Sequence, residues 1–88
     1  MNFSFILGEK KYLQFEIKSM INQKIVITDS SWTLYDSEGK TVQSGSCDID
    51  ENTLQLLLQP DARGDYILEV SYDIPPEIRK VRCEINVY

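Results

Sequence analysis

Gly64-Asp65-Tyr66-Ile67-Leu68-Glu69-Val70-Ser71-Tyr72-Asp73 decides the reading of this chain, because its side chains separate by parity. In an extended segment Tyr66, Leu68, Val70 and Tyr72 point one way and Glu69, Ser71 and Asp73 the other, with Ile67 the only apolar residue on that second face. The pattern predicts a central, half-buried strand. It follows the turn Gln59-Pro60-Asp61-Ala62-Arg63-Gly64, so a tyrosine stands just after a tight corner.

The same alternation recurs on both sides. Towards the C-terminus, Val81, Cys83, Ile85 and Val87 line one face of a last strand and Arg82, Glu84, Asn86 and Tyr88 the other. Between the two, Ile74-Pro75-Pro76-Glu77 is expected to interrupt the ladder, since two prolines lack donors and fix φ. Towards the N-terminus, Leu54, Leu56 and Leu58 line one face of a further segment, and the Leu-Gln-Leu alternation, the short length and Pro60 favour a strand over a helix. Asp50-Glu51-Asn52 reads as the turn before it. Lys40 to Ile49 reads as one strand with a bulge near Gly45, where the apolar parity shifts from Val42 to Cys47 and Ile49.

Asp36-Ser37-Glu38-Gly39 is the strongest local signal, a type I turn with glycine at the bulge position, and it joins that strand to Trp32-Thr33-Leu34-Tyr35. Asp29-Ser30-Ser31 reads as a break. Lys24 to Thr28 is β-branched and apolar on both sides, which predicts a short buried strand. Ser19 to Gln23 reads as a connection or a single helical turn. Tyr12 to Lys18 and Phe3 to Leu7 complete the set, separated by Gly8-Glu9-Lys10-Lys11.

About eight short strands at intervals of roughly eight to twelve residues are the pattern of an all-β sandwich. The expected fold is therefore a single domain over residues 1 to 88, an immunoglobulin-like β-sandwich of about seven to eight antiparallel strands. The tyrosine after the corner and Trp32 in an early-middle strand favour the sandwich over an up-and-down or OB-like barrel. Ser31-Trp32-Thr33-Leu34-Tyr35-Asp36-Ser37-Glu38-Gly39, followed by Gly64-Asp65-Tyr66-Ile67-Leu68-Glu69-Val70, resembles small immunoglobulin-like domains of tailed-phage and prophage structural proteins, those of tail, neck or head accessory components. Bacterial surface immunoglobulin-like modules share much of this pattern. The resemblance implies a virion component made in the bacterial cytoplasm, a non-catalytic structural or attachment module with no catalytic residues to carry over. The alternative is a bacterial surface or secreted module that binds carbohydrate or protein.

Composition narrows the partners. With 88 residues, 42% hydrophobic and 26% charged, the chain can bury a core but leaves little room for a deep cavity beside it. Fourteen acidic against nine basic residues give a net charge of -5, which repels phosphate backbones and anionic lipid, so neither nucleic acid nor membrane is the expected partner. A decoy for nucleic-acid-binding sites would need a dense acidic face, whereas the acids here are spread over many turns. The apolar runs are far shorter than a membrane span, and no basic segment followed by an apolar stretch announces a secretory signal.

Few residues invite chemistry. There is no histidine, and the fourteen acids show no spacing that defines a carboxylate pair, so an enzyme is not expected and no cofactor or metal is implied. Cys47 and Cys83 lack the spacing of a metal or redox motif and read as two buried free thiols. Arg63-Gly64-Asp65 spells an integrin-binding tripeptide but also suits a corner, and Asp48, Asp50, Glu51 and Asn52 gather oxygens without the glycine of a calcium loop. The candidate interaction surface is instead aromatic and basic. Tyr12, Tyr35 and Tyr88 fall on the outward parity, and Arg79, Lys80 and Arg82 concentrate positive charge on the last strand, which, like the strand at Phe3 to Leu7, could dock edge to edge with a protein partner, whether another virion subunit or a second copy.

Overall fold

The computed structural model describes residues 1–18 and 24–88, and in it the alternating segments form eight strands: β1 (Asn2–Phe5), β2 (Lys11–Glu16), β3 (Asp29–Tyr35), β4 (Thr41–Ser46), β5 (Asp48–Asp50), β6 (Thr53–Leu58), β7 (Gly64–Ile74) and β8 (Glu77–Val87). The described residues contain no helix. One sheet has the order β1-β8-β7-β3-β4 and the other β2-β6-β5. The domain is elongated, 40 × 22 × 20 Å, because β7 and β8 form an 11-residue hairpin. At roughly 3.3 Å per residue such a strand spans about 36 Å.

Each sheet turns its apolar parity inward. Leu13 and Phe15 of β2 and Leu54, Leu56 and Leu58 of β6 meet Trp32, Leu34, Leu68, Val70, Tyr72, Cys83, Ile85 and Val87 of the larger sheet. Leu34, Leu54, Leu58, Leu68, Val70 and Ile85 are wholly buried. Side chains of this size gain about 1.5–3 kcal/mol each on burial, which is why parity fixes the register of every strand. Leu68, for example, stands opposite Leu34 on one side and Cys83 on the other.

The Asp36–Gly39 turn forms as expected. Gly39 takes φ 81° and donates to the Asp36 carbonyl at 3.0 Å, while the Asp36 carboxylate accepts from the Glu38 and Lys40 amides at 2.9 Å each. The extra residue is Val42, since Leu34 faces Gln43 and Tyr35 faces Thr41.

Several expectations are corrected. The bulge is not at Gly45, which pairs in register with Trp32. The parity shift follows from the extra residue at Val42, after which Gln43, Gly45 and Cys47 share one parity. Nor is Lys40 to Ile49 one strand: the Cys47 amide still bonds the Ser30 carbonyl at 3.1 Å, and β5 then joins the second sheet. Lys24 to Thr28 forms no strand. Ile25 and Ile27 dip inward while Val26 stays exposed, and Thr28 makes one 3.0 Å bond to the Asp73 carbonyl. Asp29-Ser30-Ser31 is no break but the start of β3, with the Ser30 hydroxyl bonded to the Ser71 carbonyl at 2.9 Å. Neither proline takes part in the ladder, and β7 ends at Ile74 just before them. Ile74 and Glu77 on either side nevertheless pair directly, so the ladder runs up to the two-residue turn, whose peptide bond is cis. Nor are all strands antiparallel: β1 runs parallel to β8, because it reaches the second sheet through a turn at Leu7–Lys10 and not through a hairpin with β8. The helical turn weighed for Ser19 to Gln23 lies outside the described residues.

Candidate interaction surface

The outer face of the five-stranded sheet is built by the parity left over from the core. One cross-strand row runs Thr33, Glu69, Arg82, and the next runs Tyr35, Ile67, Glu84. Glu69 is only 8% exposed although it faces outward, because Lys80 and Arg82 close over it. Arg82 Nε lies 2.7 Å from one carboxylate oxygen and Lys80 Nζ 3.4 Å from the other. The hydrogen bond from Arg82 holds the Glu69 carboxyl below its ordinary value, outweighing the burial that would raise it, and Lys80 adds to the lowering. Two cations thus share one anion, and the group keeps a surplus positive charge.

Arg79 belongs elsewhere. Its parity is that of Val81, so it sits across from Tyr72 at the inner side of the hairpin, and its guanidinium is spoken for by Glu77 at 2.7 Å. Beside it an open groove of about 260 Å³ separates the end of β8 from β2, lined by Phe15, Ile17, Tyr72 and Val81 among others. A second depression, of about 450 Å³, lies on the outer face over Ile67, Arg82 and Glu84.

The six sequence candidates therefore do not form one patch. Lys80 and Arg82 come together on Glu69. Tyr35 shares their face one row away but is half-buried, directly opposite Ile67. Tyr12 is 62% exposed on the other sheet, where it pairs with Leu57, itself 38% exposed. Tyr88 is exposed at the far end of β8, its amide bonded to the Phe5 carbonyl. Trp32 is buried in the core.

Glu69, Leu57 and the groove escaped the sequence reading. Glu69 had a signal, since parity puts it on the same face as Lys80 and Arg82, directly opposite Arg82, once β7 and β8 pair. The groove had none, because it depends on where β2 ends relative to β8.

The remaining motifs take structural roles. Gly64 of the Arg63-Gly64-Asp65 corner adopts φ 139°, a conformation that favours glycine, and Tyr66 Oη donates to the Ala62 carbonyl at 2.8 Å across the same corner. The Asn52 side-chain amide donates to the Ile17 carbonyl at 3.1 Å and so ties β2 to the β5–β6 turn. Among the described residues no group of three or more His, Cys, Asp or Glu is placed to hold a metal ion. Both cysteines are buried and free; burial pushes the Cys83 thiol up to about 11 and raises that of Cys47.

No protein-family model matches the chain, and no curated protein matches it.

Proposed function

We propose that this domain is an immunoglobulin-like, non-catalytic structural or attachment module that works by binding other protein subunits, as accessory domains of phage and prophage virions do. The observation that carries the fold part of this reading is strand order. In immunoglobulin domains B, E and D share one sheet and C, F and G the other, with C′ added beside C in variable-type domains. Taking β2 as B and β3 to β8 as C, C′, D, E, F and G gives the observed β2-β6-β5 and β8-β7-β3-β4. Further support comes from the buried Trp32 on the C equivalent and from Tyr66 on the F equivalent, whose hydroxyl bonds back to Ala62 as in a tyrosine corner. Leu68, two residues after that tyrosine, stands where antibody domains carry a cysteine, so apolar packing replaces the inter-sheet disulfide.

The virion assignment rests on the resemblance of the Ser31–Gly39 and Gly64–Val70 segments and on an acidic surface that disfavours nucleic acid. Its test is particle purification. In a host strain that carries the gene, the tagged chain should co-sediment with particles through a density gradient at a fixed ratio to the major subunit. Complete particles that lack it, with the chain left at the top of the gradient, would remove the virion reading, as would flanking genes unrelated to capsid or tail.

A further inference from the structure

β8 is paired along its whole length by β7, but on its other side β1 covers only Glu84 to Val87. Among the described residues no strand lies beside Glu77 to Cys83. The phase of the ladder says which backbone groups are left over. Where β1 is present, it is the Glu84 and Tyr88 amides that reach it, donating to the Met1 and Phe5 carbonyls at 3.1 and 2.9 Å. Strand geometry alternates, so Ile78, Lys80 and Arg82 also direct N–H and C=O away from β7, while Arg79 and Val81 bond to it. The result is a row of backbone groups, in line with β1, that no strand of the described residues pairs.

The two faces beside this edge differ in chemistry. On the outer side Lys80 and Arg82, with side chains 55% and 72% exposed, share the single Glu69 carboxylate and carry one positive charge in excess. On the inner side lies the groove, lined by Phe15, Ile17, Tyr72 and Val81 together with the charged Glu16, Lys18 and Arg79. A strand laid along the edge would place alternate side chains against these two environments. A second copy of the same edge is a poor occupant: antiparallel pairs centred on Arg79, Lys80 or Val81 set Arg79 against itself, Lys80 against itself, or Lys80 against Arg82.

We infer that the edge of β8 from Ile78 to Arg82 is a strand-addition site for an extended segment of a partner protein in which apolar and acidic residues alternate. This deepens, and rests on, the attachment reading above. The acidic positions meet Lys80 and Arg82, the apolar positions fill the groove, and the backbone completes the hydrogen bonds of Ile78, Lys80 and Arg82.

Amide exchange and a peptide probe test it. In the free domain the Ile78, Lys80 and Arg82 amides exchange fast and those of Arg79 and Val81 slowly. A short capped peptide of alternating glutamate and valine binds and protects the three fast amides. A lysine-for-glutamate counterpart peptide binds the domain at least about tenfold more weakly, and the Lys80→Glu/Arg82→Glu variant binds the original peptide at least about tenfold more weakly. Lys80→Pro removes one outward amide without touching the β7 ladder, so it abolishes binding while thermal melting shows the domain folded. Arg82→Pro serves the same purpose if Lys80→Pro does not fold. Equal binding of both peptides, binding that leaves the three amides unprotected, or protection already present in the free chain would each overturn the inference. Protection that appears only at high protein concentration assigns the edge to a second copy and overturns it too. Particle incorporation is read in a separate experiment, so this site can fail while the module reading stands, and the reverse.

Discussion

Gly45 lies directly across the β3–β4 ladder from Trp32, and the indole covers it so closely that a Cβ at Gly45 would stand 2.8 Å from Nε1 and 3.0 Å from Cε2 and Cζ2. The glycine is there for close approach. Trp32 is 8% exposed and hemmed in by the core, so the ring has little room to withdraw. Gly45→Ala should therefore cost about 1–3 kcal/mol of stability and shift the tryptophan emission. Ser44→Ala, next to it on the exposed side of β4, should stay within about 0.5 kcal/mol. Equal urea midpoints for the two variants would show that the indole does not rest on Gly45.

Tyr66 fastens the corner before β7 by its 2.8 Å bond to the Ala62 carbonyl. Tyr66→Phe keeps the ring and loses the bond, which should lower stability by about 1 kcal/mol. Because the corner orders Arg63 and Gly64, hydrogen exchange should quicken there before it quickens in the β7–β8 ladder. An unchanged corner in that experiment would assign its rigidity to Gly64 and Pro60.

Acid should loosen the outer face in a defined window. Glu69 is held below its ordinary value of 4.5, chiefly by Arg82. A carboxyl depressed in the folded state stabilises above its unfolded pKa and loses that contribution as pH falls through the folded pKa. Stability should thus decline below about pH 4.5, and Glu69→Gln should flatten this limb, leaving the variant less stable at neutral pH and converging with the parent in strong acid. Parallel curves at all pH values would mean that Glu69 contributes nothing through its charge.

Cys83 should be inert to thiol reagents in the native domain. It is 4% exposed with a thiol pushed up to about 11, and Cys47 is buried with its thiol raised as well, so both lack thiolate and access at pH 8. Labelling with a maleimide should proceed only in denaturant. For Cys83 the sign of the pH effect is opposite to that of Glu69: the unfolded thiol ionises near 9 and the folded one near 11, so stability should fall as pH rises through that interval.

Much of this architecture could be read from residue order because parity and turn chemistry act locally. The leucines of β6, the Asp36–Gly39 turn and the inward row Tyr66, Leu68, Val70, Tyr72 are each set by neighbours a few positions away. What parity could not supply was a partner. The shift between Val42 and Cys47 signals an inserted residue, but only the pairing of Gln43 with Leu34 places it at Val42, and only the pairing of β5 with β6 shows the crossing to the second sheet. Lys24 to Thr28 has strand composition, yet in the described structure it packs Ile25 and Ile27 against the core and bonds its backbone to the sheet at Thr28 alone. On the surface, exposure of Tyr12 and Tyr88 followed from alternation, whereas the shared carboxylate under Lys80 and Arg82 required the β7–β8 register.

The parallel pairing of β1 with β8 has a mechanical meaning. Tension applied between Met1 and Tyr88 pulls the two strands past one another along their length. The bonds from Glu84 to Met1, Tyr88 to Phe5 and Leu7 to Tyr88 then lie across the load and bear it together. Force applied instead across the Pro75–Pro76 turn would open the β7–β8 hairpin pair by pair. A subunit held by its ends would resist pulling in the first way, and one held by that turn would unzip in the second.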